Sequence, residues 1–186
     1  MEPAQQTQER PAARAASVHF ERERGVTDVV VTRGMAHVTV RLPDADPAAA
    51  RLALLQSFAA GSISIFLVKL HPCAISFGVR ANLVDACEEH LRAHGADFTL
   101  LRDLALVTTI AGAMRDLSGV ICHIYETMLE ENIGVRQTGD AYNAVLCLVA
   151  GEDSERAARA LRRRFSLEDA AEDDTGPSEG VGLKAL

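Results

Sequence analysis

Tryptophan is absent from this 186-residue sequence, and aromatic residues make up only 4% of it. A core without large aromatic side chains must be aliphatic, built from Val, Leu, Ile and Ala. That suits layers of sheet and helix. A basic balance is missing too. The 26 acidic residues outnumber the 19 basic ones, for a net charge of −7. This excludes a general nucleic-acid binder, because phosphate binding needs a cationic surface. The four cysteines (Cys73, Cys87, Cys122, Cys147) lack C-x-x-C spacing. Each sits within an apolar pattern and reads as a buried thiol in a reducing compartment. No N-terminal apolar h-region occurs, and no run approaches transmembrane length. The expectation is a soluble cytoplasmic protein with no membrane partner. Nor is there a P-loop, a triad candidate or a paired-carboxylate motif, so no catalytic residue, metal or cofactor is expected. His71 and His123 have no clustered partner and read as structural or surface residues.

What is present is an ordered series of short apolar segments. Residues 1–24 are polar and Ala-rich and read as a flexible arm. Val26–Thr32 and Met35–Leu42 are strand-like and flank Arg33-Gly34, which predicts a hairpin. Asp46-Pro47 is a helix start, with Asp as cap and Pro at the first position. Ala48, Leu52, Leu55 and Phe58 follow at helical spacing, and Gly61 closes the helix. Two short apolar runs come next, Ser62–Val68 and Cys73–Val79. A helix with inner face Val84, Cys87 and Leu91 follows, then a strand over Ala96–Arg102.

Leu104–Ala111 is a further strand. It leads into the glycine-bearing loop 112–119 and an amphipathic helix over Val120–Glu131. A glycine loop at a helix N-terminus can hold a small anion such as an amino-acid carboxylate. Two more strand-like runs and a helix from about Asp153 to Phe165 complete the pattern. The acidic stretch 169–186 reads as a disordered tail. The basic run Arg159, Arg162, Arg163 and Arg164 on the last helix reads as a solvated face.

The two halves repeat at 69–70 residues. Ala36–Val40 matches Ala105–Thr109, Ser62–Ile65 matches Asn132–Val135, and Ala74–Val79 matches Ala144–Val149. The predicted fold class is α+β. It comprises two ferredoxin-like βαββαβ units over 25–102 and 103–168, with antiparallel sheets and helices on one face. Nothing after Leu167 resembles a closing strand. Either Val26–Thr32 or Ala96–Arg102 is therefore expected to cross and complete the other unit.

These residues resemble the tandem ACT-domain regulatory region of aspartokinases, most of all those regulated by diaminopimelate or lysine. Val107–Val120 (VTTIAGAMRDLSGV) is similar to the family's strand, glycine, GM and PGV segment. Asn132–Val149 resembles its NI-x-hydrophobic, Q-S/T-x-D/E, alternating-strand segment. Ser62–Val79 resembles the corresponding part of the first unit, and Ala158–Leu167 the closing ALHxxFxL. No KFGG-type kinase motif is found.

The resemblance implies an amino-acid effector bound between units. It points to Met114, Arg115, Asp116, Leu117, Ser118, Gly119 and Val120, then Asn132, Ile133, Gln137, Thr138 and Asp140. Backbone N–H groups at 118–120 would hold the α-carboxylate, and Asn132 with the carbonyls near Ile133 the ammonium. Asp116 or Asp140 would meet a second charged group. Structural readings stand beside these: Ser118 as helix cap, Asn132 as a left-handed helix end, and Arg115, Asp116 and Arg136 as solvated charges. The first unit departs from the pattern. Its loop Pro43–Pro47 lacks the glycine, and Phe66 stands where relatives carry an acidic residue, so its site is doubtful.

The functional expectation is a non-enzymatic sensor of an aspartate-pathway amino acid (lysine, threonine or diaminopimelate). It is expected to be a homodimer and to act on a separate kinase or biosynthetic subunit. The alternative is a ligand-free ACT-like assembly module.

Overall fold

A computed structural model describes residues 25–112 and 119–167. The readings of 1–24 as an arm and 169–186 as a tail lie outside the described residues, as do Met114, Arg115, Asp116, Leu117 and Ser118. The elements run β1 (Val26–Arg41), α1 (Pro47–Ala60), β2 (Ile65–His71), β3 (Ala74–Arg80), α2 (Ala81–Ala93), β4 (Asp97–Ala111), α3 (Val120–Glu130), β5 (Gln137–Ala141), β6 (Ala144–Ala150) and α4 (Ser154–Arg164). All pairings are antiparallel, in one six-stranded sheet of order β2-β3-β1-β4-β6-β5.

The predicted hairpin at Arg33-Gly34 does not form. Val26–Arg41 is one continuous strand, and so is Asp97–Ala111. Gly34 has φ +72° and sits where the pairing register shifts, between Arg33 and Met35. A turn glycine and a bulge glycine make the same demand on φ, so the residue type alone does not separate them. The extra residue changes the parity of the strand. Val29 and Val31 face the second half's core, whereas Ala36, Val38 and Val40 face the first half's. Asp103, at φ +57°, does the same for β4: Phe98 and Leu100 lie against one core and Val107 in the other.

Each long strand therefore serves both halves. Residues 26–33 of β1 pair with 105–111 of β4 and close the second unit, whose own strands are β4, β5 and β6. The lower part of β4, from Asp97 to Leu101, closes the first unit against Arg41–His37. The crossing strand is thus Val26–Thr32, and Ala96–Arg102 closes the unit in which it lies. Two ferredoxin-like units share strands within one sheet.

The first core gathers Phe58 and Leu54 from α1, Val84, Cys87 and Leu91 from α2, and Ile75, Phe77 and Val79 from β3. Phe58 and Phe77 meet edge to face at 5.3 Å. The second core gathers Ile124 and Met128 from α3, Ala157, Ala158 and Leu161 from α4, and Val145, Cys147 and Val149 from β6. Full burial of each of these larger aliphatic side chains stabilises by about 1.5–3 kcal/mol. Leu52, expected on the inner face of α1, is exposed, and Leu54 is buried instead. The helix is apolar around most of its circumference, so spacing alone does not pick out its inner face.

Two cysteines depart from the buried reading. Cys87 and Cys147 are buried, but Cys73 lies exposed in the β2–β3 turn and Cys122 on the outer face of α3. Among the described residues no helix is long and apolar enough to cross a membrane.

Candidate functional site

The two first-helix N-termini differ. On α1 the side chain of Asp46 accepts from the N–H of Ala49 at 2.9 Å, a conventional cap. On α3 the cap position is Gly119, in the left-handed region at φ +84°, and among the described residues no side chain caps the helix. No side chain among the described residues accepts from the first-turn N–H groups of α3. Among the described residues, a Cβ on Gly119 would meet nothing closer than His123 Nε2 at 3.8 Å. Val120 is buried in the second core and anchors the helix start.

Asn132 lies at the other end of α3, at φ +53°. Its N–H donates to Leu129 O (3.0 Å), and the next N–H, of Ile133, donates to Met128 O (2.8 Å). Ser62, at φ +54°, repeats this geometry after α1: Ser62 N–H to Ala59 O and Ile63 N–H to Phe58 O. Ile133 and Ile63 are both buried. The left-handed helix-end reading of Asn132 therefore holds, and its exposed side chain stays free for a further role.

Gly119 and Asn132 flank α3 thirteen residues apart, about 20 Å along the helix axis. That exceeds the reach of one small amino acid. Among the described site residues, Gly119 and Asn132 thus lie at opposite ends of α3.

β5 then runs back toward the loop that precedes α3. Asp140 pairs with Val145, itself opposite Thr109, and Ala111 N–H donates to Asn143 O at 2.8 Å. Asp140 is exposed at this end of the sheet. Thr138 accepts a long hydrogen bond, 3.4 Å, from Tyr125 OH.

Gln137 begins β5 and is only 9% exposed. Its Oε1 lies 2.8 Å from His37 Nε2 and accepts at 2.8 Å from Ser76 Oγ, while its Nε2 donates to the Leu67 carbonyl. An amide oxygen only accepts, so His37 donates through Nε2. The hydroxyl proton of Ser76 goes to Gln137, so His71 Nε2, 3.2 Å from Ser76 Oγ, also donates. This network ties the edge of the second unit to β1, β2 and β3 of the first. Sequence reasoning did not find His37 and Ser76. Each alternates with apolar residues on its strand, and only their meeting beneath Gln137 reveals the role.

Arg136 is exposed. The basic run on α4 is pinned more than a solvated face would be. Arg162 donates to Val29 O (2.6 Å), Arg163 pairs with Glu131 (2.9 Å) and Arg164 with Glu126 (2.5 Å). Glu126 is held below the usual carboxylate range, first by the hydrogen bond from His123, then by that from Cys122. Burial pushes the Cys87 thiol up to about 11 and the Cys147 thiol to about 12, so both are inert near neutrality. Among the described residues no three His, Cys, Asp or Glu side chains group as metal ligands would.

Two ferredoxin-like units share long central strands in one sheet, and the first helix of the second unit starts at a left-handed glycine. This is the fold of the aspartokinase regulatory region. The structure of aspartokinase alpha and beta subunits superimposes with a TM-score of 0.71 at 23% identity, over 76% of this chain and 99% of that one. The regulatory subunit of aspartate kinase from Thermus thermophilus, in a ligand-free form, gives 0.68 at 17% identity over the same shares. E. coli aspartokinase III in complex with lysine and aspartate gives 0.62 at 18% identity, over 78% of this chain and 34% of that one. No family model and no curated protein matches the sequence, so the likeness is carried by the fold.

Proposed function

We propose that this protein is an amino-acid-responsive regulator. In this reading it catalyses nothing itself and passes its ligand state to a separate enzyme subunit in the cytoplasm. The observation that carries this is the contrast between the helix starts: Asp46 caps α1, while α3 starts at a left-handed Gly119 with no cap among the described side chains. A carboxylate placed at 118–120 supplies the missing acceptor and meets the positive end of the helix. The second unit is thus the sensing one.

Because α3 holds Gly119 and Asn132 apart, the ligand sits between two copies of the chain. One copy gives Met114–Val120, and Asp140 borders the same end. The other gives Asn132 and Ile133 for the ammonium group. Gln137 supports β5 from beneath, and Thr138 continues the strand. The fold's likeness to an aspartate kinase regulatory subunit and to a third of an aspartokinase solved with lysine and aspartate favours an aspartate-pathway ligand: lysine, threonine or diaminopimelate. Binding selects one arrangement of the dimer and stabilises it by RT ln(1 + [L]/Kd), about 2.7 kcal/mol at a hundredfold excess over Kd.

Thermal-shift titration with the three amino acids is the test. A saturable rise in melting temperature with one of them is the expected result. No rise with any at millimolar concentration overturns the sensing reading. The closed Asp46 cap of the first unit favours a second reading, an assembly module without ligand. Partner binding unchanged by every amino acid would support that reading.

A further inference from the structure

The sheet has two outer strands, β2 and β5, and they touch. No ladder joins them: β2 pairs with β3, and β5 with β6. Side chains make the contact. Gln137 Nε2 on β5 donates to the Leu67 carbonyl on β2, and a Cβ on Gly139 would overlap the Leu67 side chain. Leu67 thus rests on β5 at the one position of that strand that has no side chain.

The sheet curls to bring these edges together, around a third apolar cluster. Met35, Leu104, Leu106 and Leu148 are buried there, with Phe66, Leu67 and Leu146 packed against them. Every member comes from a strand. Leu106 and Leu148 alternate with Val107 and Val149, which face the second core, so the cluster lies on the sheet face away from the helices.

Leu67 is held in place against its own backbone preference. It sits at φ +49°, where the β2–β3 register shifts between Phe66 and Lys69. In that left-handed region a leucine Cβ crowds the following carbonyl. Letting go of β5 would return Leu67 to ordinary extended backbone and break no ladder. Holding on covers the third cluster and satisfies the Gln137 amide, whose Oε1 also meets His37 and Ser76. These opposing effects are local. Neither helix-packed core includes Phe66, Leu67, Gln137 or Gly139.

We infer that β2 and β5 form a releasable clasp between the two units. It closes through Leu67 and Gln137, and it opens with both helix-packed cores intact. Only the short segment 134–136 separates Gln137 from Ile133, which is buried beyond the end of α3. A shift of that helix end therefore reaches the clasp and, through Leu67, the first unit. This coupling rests on the sensing reading, whereas the clasp itself does not.

The sequence has no tryptophan, so one placed in the third cluster reports alone. Phe66→Trp puts it there, and Leu146→Trp serves if the first variant does not fold. In that background Gly139→Val adds methyl groups where the Leu67 side chain lies. Tryptophan emission should shift to the red while the far-UV circular dichroism and a cooperative melt are kept. Adding Leu67→Gly removes the obstruction and should bring the emission back. Unchanged emission in Gly139→Val overturns the inference. So does a red shift that arrives with loss of the cooperative melt, or one that Leu67→Gly does not reverse. Coupling is read by titrating the tryptophan variant with L-lysine, L-threonine and diaminopimelate. An emission change that saturates together with the thermal shift is expected. A thermal shift without an emission change overturns the coupling and leaves sensing intact. The absence of any thermal shift counts against sensing alone, and the Gly139→Val comparison still decides the clasp.

Discussion

His37 on the central strand β1 and Gln137 on the edge strand β5 meet at 2.8 Å, a hundred residues apart in sequence. The contact belongs to a buried network in which Ser76 and the Leu67 carbonyl take the rest of the Gln137 amide. Replacing Gln137 by Leu keeps the volume but leaves those groups without partners. Unpaired buried polar groups cost about 1–3 kcal/mol, so Gln137→Leu should lose about 2 kcal/mol in chemical denaturation. Removing a second partner as well, in Gln137→Leu/Ser76→Ala, should lose less than the two single variants added together. An unchanged midpoint in Gln137→Leu would show that the network contributes nothing.

Gly151 follows β6, and a Cβ there would lie 2.8 Å from the carbonyl oxygen of Asp103. Asp103 itself sits at φ +57° in the β4 bulge, so the obstructing atom is main chain at a fixed irregularity. Gly151→Ala must move backbone in both elements. Overpacking of this kind costs about 1–3 kcal/mol. The expected outcome is a clear drop in the denaturation midpoint with the fold retained, read by circular dichroism. Gly95 offers the control, since a Cβ there meets nothing within 4 Å. At φ +63° the Gly95→Ala cost is conformational only, about 1 kcal/mol.

Most of the architecture was legible because strand and helix periods survive in an aliphatic sequence. Asp46-Pro47 marked α1, and the match of Ser62–Ile65 to Asn132–Val135 exposed the repeat. It returns in the structure as two equivalent left-handed residues, each before a buried Ile. The continuity of β1 and β4 was not legible. A bulge needs one residue at positive φ, as a tight turn does, so Gly34 gave the same signal for both. At the candidate site, the glycine of the helix start could be read from spacing. The separation of Gly119 from Asn132 follows from helix length, which a list of family positions does not carry. The resemblance points to Gln137 as a ligand contact, but its hydrogen-bond partners His37 and Ser76 lie in the other half of the chain, which spacing within the second unit does not show.

His90 has its pKa held below the ordinary 6.5, first by burial and then by the neighbouring His94. Its Nε2 sits 3.0 Å from Ser57 Oγ, whose own proton goes to Leu54 O, so His90 donates in the neutral form. A lowered histidine pKa means that the unfolded chain binds the proton more readily than the folded one. Stability from this group is therefore full above about pH 6.5 and declines as pH falls through and below that value. Denaturation midpoints should drop between pH 7 and pH 5.5, and His90→Gln should flatten that slope. The depressed carboxyl of Glu126 acts in a separate window. Its contribution is present above the ordinary glutamate value of 4.5 and is lost as pH falls below it. An identical slope between pH 7 and 5.5 in the His90→Gln variant would assign that pH response elsewhere.

The two helix starts give the sharpest separation of stability from binding. Asp46→Ala removes the carboxylate that accepts from Ala49 N–H, and loss of such a cap costs about 1 kcal/mol. Because that cap is internal to the first unit, the variant should melt earlier yet keep its response to aspartate-pathway amino acids. Gly119→Val places a β-branched residue at φ +84°, a conformation that glycine adopts freely and valine does not. It distorts the N–H groups that would receive the ligand carboxylate, and among the described residues no side-chain cap is present there to be lost. Its ligand-induced rise in melting temperature should vanish, by more than the fall in its basal stability explains. If Asp46→Ala instead erased the response while Gly119→Val preserved it, the sensing unit would be the first and not the second.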